Sequence, residues 1–447
     1  MEQDLTTGSV FKRIVYFSLP YLLSYFLQTL YGMADLFITG QFYGVDTITA
    51  VSNGSQIMHM MTVIIVGLAM GTTVTIGHSV GAKCMEQAEK IIGNTITLFM
   101  GIAVAFTVIL VVLVKPIVVL IATPQEAVAG TSIYLLICFI GIPFITAYNI
   151  ISSIFRGLGD SKSPMYFIGI ACVMNIPLDY LFMGAFHMGA AGAALGTVCA
   201  QTFSVLVTLW VIRRRKTGIS LKKSDFKIER AVIGQVLKIG IPVALQDGFI
   251  QVAFMIITVI ANSRGVSDAA AVGVVEKVIS ALFIVPSSML ATVSALSAQN
   301  LGAGKEKRAT DTLRYATVIT TIYGMIVAVL IQFIAENVVG IFTSDTTVVT
   351  MGSAYIRSYI WDCIFAGIHF SFSGYFAACG KSYIGFLHNI ISITFVRVPG
   401  SYLASKYFTD TLYPMGLAAP AGSLVSVAIC VTAFILLKRK SRVAQTA

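Results

Sequence analysis

Two aspartates, Asp35 and Asp179, stand inside long apolar stretches that hold no Lys or Arg. A charge at mid-membrane costs roughly 2.5–3.5 kcal/mol on insertion scales, so an acid there needs a partner or a purpose. Asp35 follows Pro20 by 15 residues and Asp179 follows Pro164 by 15, so on helices running the same way the two lie at comparable depth. Asn175 precedes Asp179 by four residues and sits one turn below it on the same face. Two carboxylates close together in low dielectric do not readily ionise together, and a proton or cation relieves the repulsion. That is the physical requirement of an ion-coupling site. Carboxylates, amides and hydroxyls are hard oxygen ligands, which suit sodium as well as protons.

The second half of the chain differs. Its apolar stretches carry Asp247, Glu276 and Asp362, with Lys277, Arg357 and Arg397 beside them. Three acids against three bases can close into neutral structural ion pairs; the alternative is a second coupling site. The five histidines, His59, His78, His187, His369 and His388, show no H-x-x-x-H spacing. No resident metal is expected, only transient sodium at Asp35 and Asp179. Gly157-Leu158-Gly159-Asp160 lacks the Lys-Ser/Thr of a P-loop, so ATP-driven transport is not indicated. No Ser/His/Asp or H-E-x-x-H grouping suggests an enzyme, and no cofactor is expected.

The elements that must position these residues are membrane helices. Only 11% of the 447 residues are charged, against roughly 25% in an ordinary soluble protein, while 57% are hydrophobic and the mean hydropathy is +0.86. These figures exclude a soluble enzyme, a disordered chain and a secreted disulfide scaffold. The apolar runs are too long for the short alternating strands of an outer-membrane barrel. Seven cysteines, mostly inside apolar runs and without a C-x-x-C, read as small buried hydrophobes. The N-terminus is acidic before it is basic and no A-x-A site follows, so the first apolar run reads as a retained helix.

The apolar windows give an all-α polytopic membrane protein of twelve transmembrane helices, at 14–39, 48–76, 91–114, 131–155, 164–183, 190–212, 232–261, 269–297, 313–334, 350–377, 383–405 and 413–437. With the N-terminus inside, 24 of the 30 basic residues fall on one face and only Lys115, Arg264 and Lys406 on the other. The positive-inside rule then puts both termini in the cytoplasm and the protein in the cell membrane. The net charge of +10 reports orientation rather than a nucleic-acid partner. Small organic molecules and the bilayer are the expected partners, and no obligate protein partner is expected.

The halves repeat at a spacing near 221 residues: Pro20 with Pro242, Gly159-Asp160-Ser161 with Gly380-Lys381-Ser382, Pro177 with Pro399. The expected organisation is an N-terminal six-helix lobe at 1–215, a cytoplasmic linker at 216–231 resting near anionic headgroups, and a C-terminal six-helix lobe at 232–447. A parallel repeat of this kind implies two pseudo-symmetric lobes and a site reached alternately from each side.

Four ordered landmarks add a resemblance. They are Pro20 with Asp35, Arg156-Gly157-Leu158-Gly159-Asp160-Ser161-Lys162, Asn175-Ile176-Pro177-Leu178-Asp179, and Arg397-Val398-Pro399. In these the chain resembles the multidrug and toxic compound extrusion family over nearly its whole length. The resemblance implies a V-shaped pair of six-helix lobes that exports organic cations in exchange for H+ or Na+. It also implies an N-lobe pocket in which Gln28, Tyr31, Tyr134, Asn149 and Thr197 accompany the ion-coupling Asp35, Asn175 and Asp179. Ser152 departs from the pattern, standing where that branch often has asparagine. Two other functions remain open on the residues alone: a lipid-linked precursor flippase of the same superfamily, and an ion channel.

Overall fold

The computed structural model describes residues 4–121, 123–214 and 220–446, with side chains to residue 439. Among the described residues the chain is nearly all helix. The first half holds α1 (Val10–Phe42), α2 (Val45–Gly81), α3 (Met85–Leu120), α4 (Gln125–Ile140), α5 (Ile142–Gly157), α6 (Lys162–Asp179) and α7 (Gly189–Arg214). The second holds α8 (Arg230–Asn262), α9 (Val266–Leu282), α10 (Ile284–Gly302), α11 (Glu306–Gly340), α12 (Thr346–Tyr359), α13 (Asp362–Ala378), α14 (Tyr383–Ser392), α15 (Val398–Tyr407) and α16 (Tyr413–Thr446). Two π-helical stretches, Tyr180–Ala185 and Ile393–Arg397, continue α6 and join α14 to α15.

Each of the twelve apolar windows falls on helix. By length and composition, eight described helices can cross a membrane, or nine when α4 and α5, bent by 52° at Gly141, count as one span. Twelve spans are not reached by that measure. The window at 131–155 breaks at Gly141 and that at 350–377 breaks at Ile360–Trp361, positions separated by the repeat. The bilayer acts as the outer solvent: the apolar window of α3 is only 11% buried, whereas that of α2 is 61% buried. Val112, Val119 and Leu120 of α3 are correspondingly exposed. In lipid such a face carries no cost, and helix is the form that satisfies its own backbone groups there.

The chain divides into two compact units, one containing Val15–Gly240 and the other Ile241–Leu301 with the chain from Lys305 onward. In the first, α2 packs on α4 and α5 around Val51, Leu135, Phe139 and Ile142. The start of α8 also belongs to this unit, and there small residues decide the packing. A Cβ on Gly71 would run into the backbone of Val236, and one on Gly240 into the backbone of Leu68. Close helix approach through glycine is a membrane packing device. Gly71→Val should therefore collapse the yield of folded protein, read as the monodisperse peak after detergent extraction, whereas Gly101→Val, with nothing near it, should leave that peak intact. In the second unit α9, α11, α12 and α16 enclose Val272, Val275, Tyr355 and Tyr359. Arg264 ties the α8–α9 turn to its surroundings, pairing with Asp268 at 2.6 Å and donating to the carbonyls of Ser405, Phe408 and Thr409.

Part of the segment expected as a cytoplasmic linker at 216–231 packs on the first unit. Residues 215–219 lie outside the described residues, but Lys223–Phe226 form a 3-10 turn against α3. Asn94 donates to the Asp225 carbonyl at 3.0 Å and accepts from the Glu229 amide at 2.7 Å. Thr97 donates to the Phe226 carbonyl, and Lys90 pairs with Glu229 at 3.5 Å. A single buried amide on α3 thus gives the linker a support from within the protein, which a charge count does not reveal. Asn94→Ala strands two backbone groups, a cost of about 1–3 kcal/mol each where buried. The expected result is faster protease cleavage at the linker, measured on membranes, with the helical content unchanged.

Candidate functional site

The turn after α5 accounts for one of the sequence landmarks. Gly159 adopts φ +92°, a left-handed conformation natural to glycine. Asp160 then accepts from the amides of Lys162 and Ser163 at 2.9 and 3.0 Å, opening α6. Arg156 lies over the Tyr21 ring of α1 at 4.4 Å. The motif is a helix-to-helix corner that fixes where α6, and with it Asn175 and Asp179, begins.

Asp35 on α1 and Asp179 at the end of α6 meet inside the first unit. They are 3% and 0% exposed. Thr197 of α7 donates to Asp35 Oδ2 at 3.2 Å, and Asn175 donates to Asp179 Oδ1 at 3.2 Å. The Asp35 carboxyl faces both Asp179 and Asn175, and the Tyr31 hydroxyl lies beside Asp35 and Thr197. Four oxygens in this cluster are buried with no hydrogen-bond partner among the described residues: Asp35 Oδ1, Asp179 Oδ2, Asn175 Oδ1 and the Tyr31 hydroxyl. Burying such groups unsatisfied costs about 1–3 kcal/mol apiece. A proton shared between the two carboxylates, or a small hard cation among the oxygens, supplies what they lack.

Three residues unmarked by the sequence reading hold this geometry. Gly196 of α7 presses its bare Cα against the Asp179 carboxylate, and a Cβ there would overlap Asp179 Oδ1. Thr39 donates to the Asp35 carbonyl at 2.6 Å. Tyr43 donates to the Met183 carbonyl and accepts from the Gly189 amide, both at 2.9 Å, which fastens the end of α1 to the π-helical stretch Tyr180–Ala185. That stretch begins directly after Asp179, two residues past Pro177. Proline removes a ladder hydrogen bond, and π-bulges frequently mark functional sites. The small-residue run Gly189–Gly196 was the available signal for Gly196; for the π register the signal was Pro177.

The expected pocket residues divide. Thr197 and Tyr31 join the carboxylates. Tyr134, 2% exposed, hydrogen-bonds Ser55 at 3.0 Å with its ring laid on Gly54, and it stands near Asp35. Asn149 is buried but donates to the Ile145 carbonyl of its own helix. Ser152 is buried beside Tyr148, so no amide occupies that place. Gln28 is exposed, two turns from Asp35, and takes no part in the cluster's hydrogen bonds.

In the second unit the expected exchange of three acids with three bases does not form. Among the described residues none of Asp247, Glu276 and Asp362 lies in an ion pair with Lys277, Arg357 or Arg397. Lys277 follows Glu276 by one position, about 100° round the helix, and is exposed. Arg357 turns to Glu336 on α11 at 3.3 Å. Arg397 donates to the Tyr359 hydroxyl and lies over the rings of Phe254 and Tyr359. Glu276 accepts from Thr258 at 3.3 Å, Asp247 is half-buried, and Asp362 is wholly buried. Spacing along a helix could not fix these partners, because aromatic faces and Glu336 compete for the guanidinium groups.

A family model described as MatE matches the chain twice, over residues 20–181 and 242–403. The chain belongs to the MatE family. Both matched segments open at a landmark proline, Pro20 and Pro242, an offset of 222 that agrees with the repeat read from the sequence. Probable multidrug resistance protein YpnP of Bacillus subtilis is 30% identical over 415 residues, 93% of each chain. Multidrug export protein MepA of Staphylococcus aureus is 23% identical over 374 residues, 83% of this chain and 82% of MepA. Among solved structures, an outward-facing multidrug resistance MATE transporter of the MOP superfamily superposes with a TM-score of 0.91 at 20% identity, over 100% of this chain and 99% of that one. A MOP superfamily transporter from Pyrococcus furiosus superposes with a TM-score of 0.90 at 20% identity, over 98% and 97%. These structural likenesses establish the fold. Membership makes the chain a multi-pass membrane protein of the MATE multidrug efflux transporter family, and MatE fold and family describe a transporter rather than an enzyme.

Proposed function

We propose that this MatE protein is a secondary antiporter that exports amphipathic, often cationic organic compounds in exchange for H+ or Na+ by alternating access. The observation that carries the reading is the Asp35–Asp179 pair, two buried carboxylates with, among the described residues, one oxygen each lacking a partner and no base beside them. Binding of H+ or Na+ from outside neutralises the pair, α1 rearranges near Pro20, and the organic substrate is released outward. Substrates are drawn by the acidic cluster and by aromatic faces such as Tyr31 and Tyr134. The excess of Lys and Arg on one side supports a plasma-membrane protein with both termini cytoplasmic. A flippase for lipid-linked anions would need free cations in its cavity, whereas Arg357 and Arg397 are engaged by Glu336 and Tyr359.

The test is ethidium transport in inverted membrane vesicles under separately imposed pH and sodium gradients. Uptake driven by one gradient and absent without either is the expected outcome. Ethidium movement that ignores both gradients, or single-channel currents far above carrier turnover, would defeat the antiporter reading.

A further inference from the structure

The segment 221–230, which holds the 3-10 turn Lys223–Phe226 and leads into α8, treats its acids and its bases differently. The acids are engaged within the protein. Asp225 is buried and accepts from the Lys222 amide at 2.7 Å, and Glu229 pairs with Lys90. Glu89 of α3 is engaged likewise, accepting from the Ser220 amide at 2.6 Å. The bases are not: Lys222, Lys223, Lys227 and Arg230 are exposed, and among the described residues none of them forms an ion pair. Three large apolar side chains, Leu221, Phe226 and Ile228, are exposed in the same stretch. Basic and large apolar residues exposed together mark a surface that meets something other than water.

Depth follows from α3. Asn94 and Thr97, which hold the Asp225 and Phe226 carbonyls, lie nine and twelve residues past Met85. At the helix rise this is about 14 and 18 Å along α3. Both residues are inside the apolar window that opens at residue 91, on the helix whose apolar window is only 11% buried. Gly93 lets the turn lie flush, since a Cβ there would meet the Asp225 backbone. The positive-inside count assigns this end of α3, with Lys83 and Lys90, to the cytoplasmic side. The turn thus rests against the first lipid-facing turns of α3 rather than beyond them in water.

We propose that Lys222, Lys223, Lys227 and Arg230, with Phe226 and Ile228, form a docking face for anionic phospholipid of the inner leaflet. Phe226 and Ile228 contact the acyl boundary. The lysine and arginine stems lie along apolar surface and carry their charges to the lipid phosphates. The negative potential of such a leaflet raises the binding constant roughly fivefold for each basic residue near it, whereas zwitterionic headgroups offer no comparable attraction. Asn94 supports the face from within by holding the Asp225 carbonyl and the Glu229 amide. The face uses none of the Asp35–Asp179 cluster and does not rest on the antiporter reading.

The test is tryptophan quenching by brominated phospholipids in liposomes. Phe226→Trp puts an indole on the face, and the signal of the two native tryptophans, measured in the parent protein, is subtracted. Brominated phosphatidylglycerol should quench the new indole several-fold more than brominated phosphatidylcholine at the same mole fraction. In that background, Lys222→Gln, Lys223→Gln, Lys227→Gln and Arg230→Gln together should bring the ratio to one while quenching by phosphatidylcholine remains. Arg at the three lysine positions should keep the preference. Equal quenching by both lipids in Phe226→Trp would reduce the face to ordinary acyl contact and overturn the proposal. Absence of quenching by either would put the turn in water and overturn it as well, as would a preference that survives the four Gln substitutions. Inorganic phosphate, added against chloride at equal ionic strength, should leave the preference intact; its loss would mean that the site takes a free anion and not a lipid.

Discussion

Asp35→Asn is expected to abolish the proposed gradient-driven ethidium efflux and to leave the protein folded in the membrane. The side chain keeps its size, and its amide oxygen still accepts from Thr197, now 3.2 Å from Asp35 Oδ2. What disappears is the charge that a proton or sodium ion would neutralise. Charged hydrogen-bonding groups contribute about 1.5–3 kcal/mol, and the upper figure corresponds to roughly a 100-fold fall in rate. Folding should not suffer, because removing an unpaired buried carboxylate is neutral or stabilising. Helical content and detergent melting at wild-type values, with efflux at the empty-vesicle background, is the outcome expected. Wild-type efflux from Asp35→Asn would move the coupling site elsewhere in the chain.

Gly196→Ala has nearly as large an expected effect, from a residue that carries no charge. In a helix interior alanine is favoured over glycine by about 1 kcal/mol, so the substitution should help α7 as a helix. The added methyl, however, falls on the Asp179 carboxylate. Overpacking of this kind costs typically about 1–3 kcal/mol, and the cheapest relief is to swing that carboxylate away from Asp35. Both acids are then present but no longer face each other, and efflux driven by the coupling gradient should drop about tenfold or more. Gly234→Ala, where nothing lies within 4 Å, is the matched control. Unchanged efflux in Gly196→Ala would mean that the two carboxylates act independently.

Much of the candidate site was legible without coordinates. Asp35 and Asp179 stood out because a membrane tolerates few unpaired acids, and Asn175 followed from helical spacing. Thr197 and Tyr31, which the resemblance grouped with them, lie beside Asp35 in the structure. Gln28 shared Asp35's spacing but is exposed, since equal spacing does not specify which part of a face a neighbouring helix covers.

By itself the sequence determined the medium, the helices and the twofold internal repeat, because hydrophobic runs, charge placement and recurring prolines are one-dimensional properties that lipid and helix geometry translate directly. It also singled out the residues whose charge needs an explanation. Which groups answer that charge was decided by tertiary structure alone. Thr197 and the bare Cα of Gly196 reach the carboxylates across helices, Glu336 and aromatic rings take the arginines from the second-half acids, and Asn94 holds the linker. Each of these outcomes is a competition among partners distant in sequence, settled by distance and direction in space.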